Sequence, residues 1–185
     1  MPRSALNDPG RLELMLDLDL LRPQVDPSFD RVTALAATAT GRPTALITFI
    51  GPEGQWVGSR YGWDQPFHPL SESFCIHTLI DDRFVEVPDA SVDPRFVRNP
   101  LVVGKPAVRF YAGYPLQLGG HVLGALCLLD QAPGRLGESD AQTLERLAGL
   151  VCDLLKLRLD RARAEGARLK ATTLLEEMRR STGQS

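Results

Sequence analysis

The period of the apolar positions changes several times along the chain, and each change marks an element. Leu12, Met15, Leu16 and Leu20 recur at helical spacings and predict an N-terminal helix over 11–21. Asp26-Pro27 reads as an N-cap and first helical residue, since Asp accepts orphan amide bonds and Pro tolerates that position. Phe29, Val32, Leu35, Ala36 and Ala39 then form one apolar stripe, ended by Gly41 and Pro43. From Thr44 to Ile50 the chain is β-rich and almost continuously apolar, as in a central strand. Residues 51–54 are a turn, and 55–61 alternate like the partner strand of a hairpin. In that register Trp56, Gly58 and Arg60 point opposite to Gln55, Val57 and Ser59.

Residues 62–72 are Gly, Pro and polar, hence a loop, and 73–80 predict a short helix. A short strand over 84–87 follows, then a loop with one helical turn after Asp93-Pro94. Gly119-Gly120 joins apolar runs at 108–116 and 122–129, a strong hairpin signal. The last helix starts near 137–140 with Leu144, Leu147, Leu150, Val151, Leu154 and Leu155 as its buried face. This order predicts an α+β domain, an antiparallel sheet with helices packed against it. The final helix continues into a tail without a break. Positions 150, 154, 157, 161, 164, 168, 171, 175 and 178 hold Leu, Leu, Leu, Arg, Ala, Arg, Ala, Leu and Met. Those steps of four and three predict either a parallel coiled coil weakened by two arginines or a solvated single helix. The chain thus divides into an N-terminal helix and tail over 1–25, a core over 26–157 and a connector helix over 158–185.

Composition narrows the function. A hydrophobic fraction of 43% and a charged fraction of 24% match ordinary globular domains, so a packed core is expected. A formal net charge of −2 gives no general attraction for nucleic acid or anionic membrane. No apolar run approaches the roughly 20 residues that span a bilayer. Three dispersed cysteines without a CxxC fit reduced thiols in a cytoplasm and no zinc site.

The string "FDRVTALAATATGRPTALITFI", with "QWVGSRYGW", "SFCIHTL", "VEVPDASVDPRFVRNPLVVGKPAVRFYAGYPL" and "HVLGALCLLD", resembles the GAF domain family. It is most similar to the bacterial sensory domains that precede diguanylate cyclase or histidine kinase modules. The resemblance implies a six-stranded antiparallel sheet with N- and C-terminal helices on one face and loops with a short helix on the other. It also implies a homodimer that passes a ligand-induced change along the C-terminal helix, with no catalytic activity of its own. Relatives bind cyclic nucleotides, bilins, haem or small metabolites, so ligand and cofactor stay unspecified. The chain ends at Ser185 before any output domain, so the cyclase or kinase partner is expected in cis or in trans.

The candidate chemistry centres on "SESFCIHTLI", where Cys75 and His77 are separated by one residue. On a helix they stand about 200° apart and cannot act as one dyad or hold one metal. On a strand they would share a face. Capping serines and the family's short helix favour the helix, with Cys75 inward and His77 toward the loops. Cys127 and Cys152 read as small core hydrophobes. A relative of this fold reduces free methionine sulfoxide with loop cysteines, and that thiol-dependent activity is the third reading. A dimerisation module with a vestigial pocket is the second. Bilin attachment is disfavoured, because "CIH" has one residue more than the Cys-His used for it.

In "VRFYAGYPL", Arg109, Tyr111 and Gly113 share one face of a strand. Arg109 is either paired with Asp89 or a cation for an anionic ligand. Arg95 and Arg98 lie near the expected lid, while His68 and His121 are expected in solvent-facing loops. The candidate ligand-binding set is therefore Trp56, Arg60, Cys75, His77, Asp89, Arg109, Tyr111 and Cys127, around an unidentified small molecule.

Overall fold

The computed structural model describes residues 3–23 and 25–182, so the first two and last three positions of the expected N- and C-terminal segments, and Gln24, lie outside the described residues. The elements are α1 (Arg3–Leu6), α2 (Pro9–Asp17), α3 (Pro27–Thr40), β1 (Thr44–Ile50), β2 (Gly54–Tyr61) and β3 (Phe67–Pro69). There follow α4 (Cys75–Asp81), β4 (Val85–Val87), α5 (Pro100–Val103), β5 (Phe110–Leu118), β6 (His121–Asp130) and α6 (Glu138–Thr182). All paired neighbours are antiparallel, and the six strands lie in the order β3-β2-β1-β6-β5-β4. The fold is α+β, as the alternation of patterns predicts.

The three central strands β1, β6 and β5 divide their side chains between two cores. Ala45, Ile47 and Phe49 of β1 join Phe110, Ala112, Leu126 and Leu128 under the helices. Phe29, Val32 and Ala36 of α3, with Leu144, Val151 and Leu155 of α6, complete that layer. Leu46 and Ile50 of β1 face the other way, with Tyr111, Cys127 and Leu129, beneath α4 and the 88–109 segment. Each fully buried Leu, Ile or Phe contributes about 1.5–3 kcal/mol, so both layers are needed to hold the sheet.

The helix ends follow from local chemistry. Asp26 accepts from the amides of Ser28 (2.7 Å) and Phe29 (3.4 Å), and Pro27 fills the first turn. The same carboxylate forms an ion pair with Arg158 of α6, whose guanidinium lies 4.3 Å from the Phe29 ring centre. Asp26→Ala is therefore expected to cost about 2 kcal/mol, the upper range for a lost cap. Asp26→Asn should recover the cap but not the pairing, and chemical denaturation of both variants separates the two contributions. At the N-terminus, Asp8 caps α2 through Arg11 N, so this helix spans 9–17 rather than the expected 11–21. A left-handed Asp19 (φ 55°) then turns the chain, and Leu20 is buried from beyond the helix.

Three further expectations are corrected. The stretch over 62–72 contains strand β3, held to β2 at Trp56↔Phe67 and Gln55↔His68. β2 carries a bulge: Thr48 pairs with Val57 but Ile47 with Ser59, leaving Gly58 as the extra residue. Gln55 and Val57 therefore face the α4 side, while Ser59 faces α3 and bonds Asp30 (2.7 Å) and Thr33 (2.9 Å). Finally, Leu150 is 45% exposed rather than buried, because the buried stripe of α6 runs through Leu144, Leu147, Val151, Leu155 and Leu159. The Gly119-Gly120 hairpin matches its expected chemistry, with φ of 60° and 82° where a primed turn needs positive values.

Candidate functional site

The α4 side of the sheet holds a small inner cavity and, outside it, a broad groove. The inner cavity has a volume of about 10 Å³, room for one water, and is lined by Cys75, Tyr111, Cys127, Gln55 and Phe74 with their neighbours. The groove measures about 560 Å³ and runs past Trp63, Asp64, Phe67, His68, Glu72 and Lys105. Trp63, His68, Glu72 and Leu101 line both spaces and so form the partition between them.

Hydrogen bonds fix that partition. Trp63 Nε1 donates to His68 Nε2 at 3.0 Å, and His68 Nδ1 lies 2.9 Å from Glu72 Oε2. An indole can only donate, so Nε2 accepts and the imidazole proton sits on Nδ1, donated to Glu72. His68 is only 4% exposed and lies on β3, which corrects its expected place in a solvent-facing loop. The lid is tied to the same corner: Asn99 Nδ2 donates to the Glu72 carbonyl (3.1 Å), and Asn99 Oδ1 caps α5 at Leu101 N. His121 likewise is not free in a loop; it lies on β6, with Nδ1 2.9 Å from Asp8 Oδ1.

The cavity floor comes from three elements. β5 and β6 pair Tyr111 with Leu129 and Gly113 with Cys127, placing these residues on one face. α4 crosses that face with Cys75 in its first turn, and Ser73 Oγ accepts from Ile76 N (3.1 Å) as its cap. Cys75 Sγ and Cys127 Sγ are 3.5 Å apart, both as free thiols. Tyr111 is fully buried, and its hydroxyl lies 2.7 Å from Thr78 Oγ1. A Cβ on Gly113 would sit 2.1 Å from that hydroxyl, so the glycine makes the space it occupies. Phe96, Phe74 and Tyr111 stack in sequence, with centroids 4.3 and 5.4 Å apart, and seal the lid side.

Burial and mutual hydrogen bonding act differently on the three titratable groups of this floor. Burial opposes ionisation of Cys75, but hydrogen bonds from Cys127, Thr48 and Tyr111 outweigh it and hold the thiol below its ordinary range. The hydrogen bond to Cys75, with burial, pushes Cys127 well up. Burial, and then the two neighbouring sulfurs, push Tyr111 well up.

Other candidates fall elsewhere. His77 turns away from Cys75 and meets the edge of Phe96 (centroids 4.9 Å) in a separate groove with Arg95 and Asn99. Burial and the nearby Arg95 lower its pKa. Asp89 and Arg109 form no ion pair within reach. Asp89 accepts from Ser91 N (3.0 Å) and Ser91 Oγ (2.6 Å), and that bonding lowers its pKa. Arg109 Nη1 instead donates to the Val102 and Val108 carbonyls, each at 3.0 Å, and pins the lid. Trp56 is half-buried against Phe67 (4.7 Å), and Arg60 is exposed; neither lines the cavity or the groove. Arg95 is held by Asp93 at 2.7 Å. Among the described residues no group of three or more His, Cys, Asp or Glu could hold a metal ion.

A six-stranded antiparallel sheet with terminal helices on one face and a lidded cavity on the other is the architecture of a GAF domain. The model of the GAF domain family matches residues 24–152, and the chain belongs to that family. It is 40% identical over 136 residues to a cyclic di-GMP phosphodiesterase of Pseudomonas aeruginosa, a match covering 72% of this chain and 23% of that protein. The chain thus spans under a quarter of that relative. The fold is also that of the GAF domain from an Acinetobacter phosphoenolpyruvate-protein phosphotransferase (TM-score 0.60, 18% identity, 83% of this chain and 92% of that one). A free methionine-R-sulfoxide reductase from Neisseria meningitidis, in complex with its substrate, shares it at a TM-score of 0.56 (18% identity, 74% and 78% covered).

Proposed function

We propose that this chain is the sensory unit of a larger signalling protein, binding a small polar molecule in the groove behind which the Cys75–Tyr111–Cys127 cavity lies. The observation that carries this reading is the partition. Trp63, His68 and Glu72 form a bonded screen between a ligand-sized groove and a small, largely apolar inner cavity. The groove volume falls within the roughly 300–1,000 Å³ of small-molecule sites. A ligand would meet the Trp63 ring, the Glu72 and Asp64 carboxylates and the Lys105 ammonium at the groove wall. Displacing the screen would connect it to the cavity floor, and so to α4.

The output route is α6, which leaves the domain and runs on to Thr182. At 1.5 Å per residue its last 23 residues reach about 35 Å beyond the core. Leu157 (54%), Leu175 (57%) and Met178 (57%) are exposed along the heptad seam, which supports a parallel homodimer as the form that transmits. A cyclic-di-GMP-processing output in the same longer protein is supported by the Pseudomonas relative. The inner cavity, near water-sized, does not favour the sulfoxide-reductase reading, because an amino-acid substrate cannot reach the two thiols in this arrangement.

Native mass spectrometry of the chain purified without denaturation tests the binding step. The expected spectrum carries a non-covalent small-molecule adduct that disappears on acid release. A protein at its sequence mass from several expression hosts and growth media contradicts the reading.

A further inference from the structure

Beyond ligand sensing, the geometry points to Cys75 and Cys127 as a disulfide-forming site that a small hydroperoxide oxidises. The two sulfurs stand 3.5 Å apart across the α4–β6 contact, so forming a bond near 2.05 Å closes a gap of only about 1.5 Å. Cys152, the remaining cysteine, packs in the opposite core beneath the helices and has no access to this pair. Geometry therefore selects one crosslink.

The neighbouring groups supply the chemistry of the first step. Cys127 Sγ lies 3.5 Å from the Cys75 sulfur, and Thr78 Oγ1 lies 2.7 Å from the hydroxyl of Tyr111, which lines the same cavity. Burial opposes ionisation of Cys75 but hydrogen bonding lowers its pKa, which favours it over Cys127 as the attacking sulfur, since the thiolate is the nucleophile toward peroxide. Cys75 sulfur attacks one peroxide oxygen, the O–O bond breaks, and the departing hydroxide takes the former Cys75 proton to leave as water. Cys75 is then a sulfenic acid. Cys127 sulfur attacks Cys75 sulfur, its proton leaves with the displaced hydroxyl as a second water, and the S–S bond forms. Two thiols and one hydrogen peroxide give one disulfide and two waters.

Access selects the oxidant. The cavity beside both sulfurs holds about 10 Å³, which excludes glutathione disulfide and larger oxidants while the screen is closed. Hydrogen peroxide, little larger than the water the cavity admits, enters when Trp63 swings from His68. The crosslink would then fix α4 against β6 and so rigidify the wall of the ligand site.

Peptide mapping after hydrogen peroxide treatment of the folded chain, quenching and alkylation tests this. Two of the three thiols should be lost, as one crosslink joining the Cys75 and Cys127 peptides, two hydrogens lighter and restored by dithiothreitol. Cys152 should remain alkylated. Cys127→Ser should leave Cys75 as a sulfenic acid trapped by dimedone, and Trp63→Ala should speed crosslinking of the wild-type pair. Full alkylation of all three thiols, pairing through Cys152, or overoxidation of Cys75 without a crosslink would overturn the site. An unchanged rate in Trp63→Ala would overturn the access route. Because no bound metabolite enters this assay, its result is independent of the native-mass test of ligand binding.

Discussion

Gly124→Ala is expected to abolish stable folding. A Cβ at this position would lie 1.7 Å from the Thr48 carbonyl oxygen, 2.7 Å from its carbon and 2.9 Å from Phe49 Cα. All three are backbone atoms of β1, the strand hydrogen-bonded to β6 through Phe49↔Gly124. No rotamer relieves the overlap; β1 itself must move. Ordinary overpacking costs about 1–3 kcal/mol because side chains shift aside. Here the central strand pair separates, and the cost approaches the whole stability of a domain, about 5–15 kcal/mol. Circular dichroism during heating measures this directly. A variant that melts within a few degrees of wild type would show that β1 and β6 are farther apart than described.

Phe29→Ala is expected to lower stability by about 3–5 kcal/mol. The ring is completely buried, 6.2 Å from the Phe49 ring and beneath the Arg158 guanidinium, so it joins α3 to the sheet and to α6 at one point. For a chain of this size that corresponds to a fall in Tm of roughly 10 °C. The effect should extend beyond stability. Without the ring, Arg158 keeps its ion pair to Asp26 but loses the surface on which it rests, loosening the anchor where α6 leaves the domain. Phe29→Leu should recover most of the loss. Equal melting of Phe29→Ala and wild type would contradict the described packing.

How far the sequence exposes this fold depends on the range of each signal. α3 is legible from Asp26-Pro27 to Gly41 because cap and stop bracket an apolar stripe, although Leu35 and Ala39 of that stripe are exposed and Thr33 and Ala37 are buried instead. The β5–β6 hairpin is legible because Gly119-Gly120 sets both turn and register. Cys75 and His77 separate correctly once the stretch is helical, since 200° of rotation follows from spacing alone. β3 is not legible, because three residues carry no period. His68 is hidden with it: its partners Trp63 and Glu72 lie five residues before and four after, in a stretch of strand and turn where that spacing has no helical meaning. The bulge at Gly58 reverses the faces of β2 after Val57, which strict alternation cannot anticipate. Sequence offers Arg109 either Asp89 or an anionic ligand as its partner, whereas the Val102 and Val108 carbonyls accept from it, a contact with no sequence signal. The proximity of Cys75 and Cys127 depends on α4 crossing β6, a contact across 52 positions that no local pattern encodes.

The account makes α6 the reporter of the groove, and hydrogen–deuterium exchange along α6 tests that most directly. The chain would be compared as purified and after reversible unfolding and dialysis strip any bound small molecule. The predicted result is a change in exchange of amides over 160–178, together with altered protection of α4 and of the Trp63–Glu72 screen. Protection confined to the groove, with α6 exchanging identically in both states, would contradict a sensor that signals through this helix.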